Sequence, residues 1–458
     1  MKWPPWIALL GTGAALAAAG CGGSDSSSSG AATPVSQPSQ AQMEASGLAK
    51  LPVAPTSKRI DLSAPPFSHS TEVTNPLFPI SELHSAVLAG RIDGQPFHTE
   101  TTLLPYTRTI EWSPGHKVET LVSQYMAFIG GRLQEVALDY YAQADDGSVW
   151  YFGEDVADYN PQGLIAYTTD SWLAGKDGPP AMIMPGNPKV GQAFRTENIP
   201  GVVFEEVTVK RTGQTVPGPL GPVPGVMIAS ELHDDAQRSD KLFAPGYGEF
   251  LTKDSDGVEA MALAVPTDAA QGPPPAALEN LSRASDRAFE AIRAGKASAA
   301  RAAARDASAA WRRYQGGGKL PPRLVPPMNR ATSDLSASAG GSNPARAGTA
   351  AIDVAQAALD FELRYRPPSW IDLGRFEQWD RQLIVDAAAR DLGGVYGDLA
   401  TMEWVRDRFA ADITPVESTR IDTAVLALRD AVNNHQLRAA GSEAARLQRQ
   451  LAGVEIAG

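Results

Sequence analysis

The residues able to do chemistry are scattered, and their spacing excludes more than it offers. The histidines are His69, His84, His98, His116, His233 and His435. None has a second histidine at metal-ligand spacing, and no HExxH occurs. His435 stands alone in the C-terminal region, so a multi-histidine site is excluded there. Carboxylates are the other route to a metal. Glu403 and Asp407 lie four apart at helical spacing, with Asp386, Asp391 and Asp398 upstream, and converging carboxylates suit a hard cation. Pairing of Glu403 and Asp407 with Arg406, Arg408 or neighbouring bundle arginines explains them without an ion and is the favoured reading. The arginines Arg364, Arg366, Arg375 and Arg381 are interspersed with acids in the same way.

Nucleophilic catalysis has little to stand on. There is no GxSxG and no Ser-x-x-Lys with its companion motifs. Ser68-His69-Ser70 is adjacency along the chain, whereas a triad is convergence in space. Asp139, Asp145, Asp146, Glu154 and Asp155 could furnish a carboxylate pair for glycoside chemistry. Asp145 and Asp146 read as turn residues, which leaves Glu154, closing an aromatic strand, as the acid to watch. No catalytic residue and no cofactor is assigned.

The densest cluster is aromatic: Tyr140, Tyr141, Trp150, Tyr151, Phe152 and Trp172. Strand alternation puts Tyr141 opposite Tyr140, and Trp150 with Phe152 opposite Tyr151. One face fills a core. The other either packs against a second layer or lines a concave surface for an apolar or glycan ligand. The candidate ligand-binding set is Tyr141, Trp150, Tyr151, Phe152, Glu154 and Trp172.

These residues must be carried by two regions of different character. Residues 58–265 read as β-rich. Runs at 132–142 and 148–152 flank Asp145-Asp146-Gly147 as a hairpin. Further strands are expected at 98–104, 106–112, 202–210, 224–232, 247–252 and 257–265. Many short strands between Gly/Pro turns predict an antiparallel meander curved into a sandwich or open barrel. Residues 266–275, with Gly272-Pro273-Pro274-Pro275, read as a linker. From 276 to 458 the period is helical: an all-α bundle of about four to six helices is expected, with helices at 297–314, 346–365, 370–389, 392–410, 418–434 and 436–452 and Ser418 as a cap. Trp311, Trp370, Trp379 and Trp404 fall at core positions of that bundle. The fold class is α+β in two domains.

The chain has 458 residues, a formal charge of −12 and one cysteine, Cys21. The acidic balance disfavours nucleic acid. Cys21 ends Leu16-Ala17-Ala18-Ala19-Gly20-Cys21, after Lys2 and an apolar run from Ile7 to Ala19. That run is shorter than the roughly 20 residues a membrane-spanning helix needs and matches a signal-peptide core. The arrangement resembles the signal peptide and lipobox of bacterial lipoproteins. It implies a signal at 1–20, cleavage before Cys21, and acylation of its thiol as a membrane anchor. Residues 21–57 then form the acylated cysteine and a disordered tether, Ser-, Gly- and Pro-rich. The resemblance places the protein in the bacterial cell envelope, extracytoplasmic and lipid-anchored. Gly22 after the cysteine corresponds to the outer membrane if the cell is Gram-negative.

A second resemblance covers much of the β region. The stretch Leu138–Glu154, LDYYAQADDGSVWYFGE, is similar to a segment of uncharacterised bacterial lipoproteins, as are Thr74-Asn75-Pro76-Leu77-Phe78-Pro79, Ser171-Trp172-Leu173-Ala174-Gly175 and Leu242–Gly248. That family brings no activity with it. Its strand pattern loosely resembles open-barrel lipid-handling lipoproteins. The helical part resembles unassigned bacterial proteins around Ile371–Phe376 and Met402–Arg408, again without a function. The expectation is a non-enzymatic envelope lipoprotein, its membrane partner reached through the anchor, binding a lipid, a glycan or an envelope protein through its β domain. The alternatives are an envelope hydrolase using carboxylates such as Glu154, and a scaffold docking through the bundle.

Overall fold

The computed structural model describes residues 32–255 and 257–456. Cys21 and the signal segment lie outside them. Two-residue strands β1 (Thr33–Pro34) and β2 (Ser63–Ala64) pair with each other, with a short helix α1 (Gln40–Ala45) between them in the chain. The large sheet begins with β3 (Ser85–Ile92), β4 (Gln95–Ser113), β5 (His116–Ile129), β6 (Arg132–Gln143) and β7 (Val149–Tyr159). Short strands β8 (Ile165–Tyr167), β9 (Trp172–Leu173) and β10 (Ala181–Met184) all pair with β7. A second meander follows: β11 (Ala193–Ile199), β12 (Val203–Pro217), β13 (Pro222–His233), β14 (Arg238–Ala244), β15 (Gly248–Lys253) and β16 (Gly257–Val265). Pairing of β16 with β3 welds the two meanders into one antiparallel sheet, running β10-β7-β6-β5-β4-β3-β16-β15-β14-β13-β12-β11.

The sheet curls until its ends face each other. Tyr141 and Tyr151 near one end share a hydrophobic core with Val207, Met227 and Phe243 near the other. Among the described residues no main-chain pairing joins β10 to β11, so this is an open barrel. It is α+β with an antiparallel curved sheet followed by a helical bundle, as the sequence predicts.

Among the described residues eight helices follow the sheet: α2 (Ala276–Arg293), α3 (Ala297–Gln315), α4 (Val325–Ser338), α5 (Pro344–Glu362), α6 (Pro368–Ala389), α7 (Leu392–Phe409), α8 (Pro415–Asn433) and α9 (Leu437–Leu451). The expected count of four to six is too low. Helix α4 carries Pro326 and Pro327 in its first turn, where a missing N–H costs nothing. The cap of α8 is not Ser418 but Thr414, which forms a capping box with Glu417, with Pro415 as the first helical residue. Helices α2–α5 and α6–α9 form two groups, each with its own core. The hairpins α2–α3 and α8–α9 repeat one geometry. Lys296 N donates to Ala291 O at 2.9 Å, and Gln436 N to Ala431 O at 2.8 Å.

Both groups pack on the outer face of the sheet. Val87, Ala89 and Leu263 join the core of α2–α5, while Met126, Val136 and Ala157 join that of α6–α9. Phe128 stacks on Trp379 at 5.6 Å, and Trp404 Nε1 donates to the Tyr159 hydroxyl at 2.7 Å. Of the other bundle tryptophans, Trp311 is buried and Trp370 packs at the edge of the α2–α5 core. The 266–275 segment is pinned where it leaves the sheet. Tyr247 donates to Asp268 at 2.8 Å, and Arg364 Nε donates to the Asp268 carbonyl at 3.0 Å.

A buried ion network fastens the bundle to the sheet. On β4, Glu100 meets Arg375 of α6 at 2.9 Å and Arg408 of α7 at 2.6 Å. Arg408 also reaches Gln124 of β5 and Asp372 of α6, and Arg375 reaches Asp360 of α5. Burial alone would raise the Glu100 carboxyl, but the two guanidiniums overcome it and hold the group far below the usual range.

The expected tether at 21–57 needs correction over its described part. Val35 and Leu48 are buried, Val35 N bonds Leu62 O, and Ala54 N donates to Glu206 at 2.5 Å. The segment is ordered by surface supplied from β11 and β12, which local composition does not reveal.

Candidate functional site

The site is the interior of the barrel, and its polarity is inverted. Strand residues alternate between faces. In β6, Val136 points to the helices, while Glu135, Ala137, Asp139 and Tyr141 share the inner face. The register sets Glu135 opposite Asp158 and Asp139 opposite Glu154 on β7. From the second meander come Glu197, Glu205, Glu231, His233, Lys241, Glu249 and Glu259, and Tyr125 on β5 completes the wall.

Packing divides this interior. One part is filled by Tyr141, Tyr151, Trp172, Val207, Met227 and Phe243, with Tyr141 and Tyr151 stacked at 4.8 Å. The other part is wetter. Tyr125, Glu135, Glu197, Glu205, Lys241, Glu249 and Glu259 each retain partial exposure on the inner face, so this part of the interior stays in contact with water.

Glu154 reaches this face through a β-bulge. Strict alternation would put it with Trp150 and Phe152. In the structure the pair Asp139/Glu154 is followed by Tyr141/Tyr151, so Phe152 and Gly153 together face Tyr140. Gly153 has φ +129°, and a Cβ there would lie 2.3 Å from the Trp172 carbonyl oxygen. The bulge turns the Glu154 carboxylate inward, where Trp172 Nε1 donates to it at 3.1 Å. Tyr151 donates to Asp139 at 2.7 Å. Across the gap between the sheet ends, the carboxyls of Glu154 and Glu197 come within hydrogen-bonding reach of each other.

Electrostatics follow from crowding. Burial, then Asp139, raises Glu154 well above the carboxylate range; burial, then Glu205, does the same to Glu197. Burial thus shifts both members of the pair toward the neutral, hydrogen-bonded form. Burial and the facing Asp158 push Glu135 up to about 8, and burial with Asp170 pushes Asp158 up to about 7. The cations sit on one side. Lys241 Nζ lies 3.0 Å from Glu231, and His233 Nδ1 lies 3.0 Å from Glu205. Burial opposes the charge on His233, but the hydrogen bond and charge of Glu205 lift it to about 9.

Glu205, Glu231 and His233 place ligand atoms within 4.8 Å of one another, the arrangement nearest to a metal site among the described residues. Its charges are already answered. Lys241 occupies the position a cation would want, and both His233 nitrogens have partners, the second being Ser239 Oγ at 3.0 Å.

The candidate residues separate into groups. Trp150 and Phe152 face away from the lumen and pack under Phe67, which lies 6.5 and 5.4 Å from their rings. Trp172 is buried against Tyr151 at 5.3 Å. Tyr141, Tyr151 and Glu154 face the interior. Glu403 is bound by Arg429 of α8, whose Nε lies 2.8 Å away, and Asp407 does not converge with it. The acids at Glu135, Asp158, Glu197, Glu205 and Glu249 were missed. Their signal was an acid recurring at even intervals inside a strand, as in Glu135/Asp139 and Glu154/Asp158. A surface cleft of about 640 Å³ beside Trp112 and Lys176 lies away from this interior.

The four segments that carry the second resemblance meet in space. Asn75 Nδ2 donates to Gly147 O at 2.8 Å, Gly246 N to Pro76 O at 2.9 Å, and Ala174 N to Phe152 O at 2.9 Å. Comparison with protein families and with curated proteins returns no match.

Proposed function

We propose that this chain is a bacterial envelope lipoprotein, anchored by acylated Cys21, whose β domain binds a ligand inside its open barrel without transforming it. The observation that carries the binding role is the half-wet, charge-lined interior. A wall meant only for stability would fill that space with apolar side chains, because buried carboxylates in such number cost stability. No described helix is long and apolar enough to cross a membrane. In this reading the lipid supplies the attachment.

One observation favours a second reading. The Glu154 and Glu197 carboxyls touch and are both raised by burial, as an acid–base pair of a hydrolase would be. They are too close for glycoside chemistry, which separates its carboxyls by about 5 Å or more to admit the sugar. The scaffold reading has less to rest on: Val416 and Leu426, the large exposed apolar residues of α8, lie ten positions apart and make no continuous stripe.

Native mass spectrometry of the full chain, released from membranes in mild detergent, tests the proposal. A bound small molecule and a diacyl or triacyl mass on Cys21 are the expected result. Cys21→Ala should remove the acyl mass and release the chain from the membrane fraction. A bare, unacylated protein overturns the reading, and turnover of envelope glycans abolished by Glu154→Gln replaces it with the hydrolase.

A further inference from the structure

An acidic molecule here carries a basic surface. Between Arg293 and Arg346 the chain has ten lysines and arginines and two acids, Asp306 and Asp334, a formal charge of +8. The total is −12, which leaves −20 for the rest. On α3, Arg301, Arg305 and Arg312 are spaced four and seven apart and so share one helix face, a stripe about 16 Å long at about 1.5 Å per residue. Helix α4 lies antiparallel beside α3: Ser308 Oγ is 2.9 Å from Ser336 Oγ, and Trp311 Nε1 donates to Asn329 at 2.7 Å. Arg330 follows Asn329, and the loop joining the two helices adds Lys319 and Arg323. All six of these cations are exposed.

Their charges go unanswered. Arg301 reaches the Gly340 carbonyl and Ser298, neither of them an acid. Arg305, Arg312, Lys319, Arg323 and Arg330 make no side-chain hydrogen bond or ion pair with any described residue. In α6–α8 the opposite holds: Arg375, Arg406, Arg408 and Arg429 are each seated on a carboxylate. Repulsion among unpaired guanidiniums is relieved by an external anion. The planar fork of arginine suits phosphate oxygens, which it meets with two parallel hydrogen bonds.

Position selects the source of phosphate. Lys319 lies against Gly221 in the β12–β13 turn, its Nζ 3.6 Å from where a Cβ on that glycine would stand. The β12–β13 and β4–β5 turns occupy the same end of the sheet, the end at which β3 begins and β16 finishes. The described chain starts at that end as well: Pro34 and Ser36 share a cleft with Ser113 and Pro114 of the β4–β5 turn. From Cys21 to Thr33 is twelve residues, at most about 40 Å of extended chain. A lipid on Cys21 therefore holds this end of the sheet near the headgroups.

We infer that the α3–α4 surface docks on anionic lipid headgroups, a second and electrostatic hold on the membrane that carries the anchor. This rests on the reading of Cys21 as acylated. The attraction acts within a Debye length, about 8 Å at physiological salt, so the contact is close and salt-sensitive. It fixes which face of the molecule meets the bilayer, which a flexible acylated segment alone does not.

The chain from Gly22 onward keeps every described residue and omits Cys21, so its vesicle binding reports the surface alone. Sedimentation at about 0.1 M salt compares vesicles of phosphatidylcholine with vesicles about one-third phosphatidylglycerol. Binding should require phosphatidylglycerol and fall at least tenfold in about 0.5 M salt. Arg305→Gln, Arg312→Gln and Arg330→Gln together should weaken it at least tenfold with the thermal transition unchanged. Arg420→Gln, Arg438→Gln and Arg449→Gln, the same charge change on exposed arginines of α8 and α9, should leave it within twofold. Equal weakening by both triples, equal binding to phosphatidylcholine alone, or no binding overturns the inference. So does a preference for soluble polyphosphate over the vesicles, which moves the partner to an anionic polymer. A dimer abolished by the first triple overturns it in favour of the acidic surface of a second copy. An acyl mass on the full chain without vesicle binding removes this inference alone, whereas vesicle binding without an acyl mass removes the anchor and leaves the surface.

Discussion

Arg408 is the residue on which the union of sheet and bundle can be tested quantitatively. Its side chain is fully buried and makes contacts of 2.6 Å to Glu100, 2.6 Å to Gln124 and 3.2 Å to Asp372. Arg408→Met keeps the aliphatic stem and deletes the charge. Glu100 retains Arg375, but Asp372 loses its hydrogen-bonded cation, and Gln124 Oε1 loses its donor. Breaking a buried ion pair from one side costs about 3–5 kcal/mol, because the remaining charge stays desolvated. Arg375 offsets part of that, so the expected loss is about 3 kcal/mol. The assay is reversible denaturant unfolding followed by tryptophan fluorescence and far-UV circular dichroism, with exposed Arg438→Met as control, expected within about 0.5 kcal/mol of the parent. Because Met126, Val136 and Ala157 of the sheet belong to the core of α6–α9, both signals should move together. A loss below about 1 kcal/mol would refute the argument that this network is energetically important. So would two separate transitions of which only the helical one shifts.

Two further outcomes follow from the geometry. Gly153→Ala puts a Cβ 2.3 Å from the Trp172 carbonyl at φ +129°; it should destabilise the fold by about 2 kcal/mol or more in thermal denaturation, and wild-type stability would mean that the bulge is not what aims Glu154 inward. Acid and base should act on different parts of the molecule. Glu100 is depressed in the folded state, so its contribution is present above its unfolded pKa and fades as pH falls below it. Glu135 is raised from 4.5 to about 8, so the folded state binds its proton more tightly, and that stabilisation is lost as pH climbs from about 4.5 to 8. Asp158, raised to about 7, adds to the same loss. His233 holds its proton to about 9, so its contribution, complete below its unfolded pKa of 6.5, is lost as pH rises through 9. Unfolding measured from pH 3 to 10 should therefore show a maximum on the acid side of neutrality; a plateau from pH 5 to 9 would show that the interior acids do not sense burial.

Much of the architecture was legible because it is local. The hairpin around Asp145-Asp146-Gly147 is β6 and β7, the run at 257–265 is β16, and 392–410 is α7 within a residue. Expected strands 98–104 and 106–112 are one long strand, β4, with a register shift between Leu103 and Thr107. Strands β3, β11 and β14 escaped notice. In β14, Arg238-Ser239-Asp240-Lys241 reads as polar loop because its inward residues answer charges on β13 instead of filling a core. The site was hidden for the same reason. A polar strand face ordinarily meets solvent, so nothing in the pattern set Glu135 and Asp158 apart from surface acids. The helices cover the other face and reverse that assignment, and the bulge at Gly153 moves Glu154 to a side that periodicity denies it.

The missing rung between β10 and β11 makes the barrel wall unequal in strength around its circumference. Elsewhere, widening the interior means breaking a ladder of peptide hydrogen bonds. Here part of the closure is a carboxyl–carboxyl hydrogen bond between Glu154 and Glu197, and ionising both groups would turn attraction into repulsion across the gap. The molecule thus has a fastener of a different chemical kind from the rest of its cloth, responsive to pH and to any cation that replaces the bonding hydrogen.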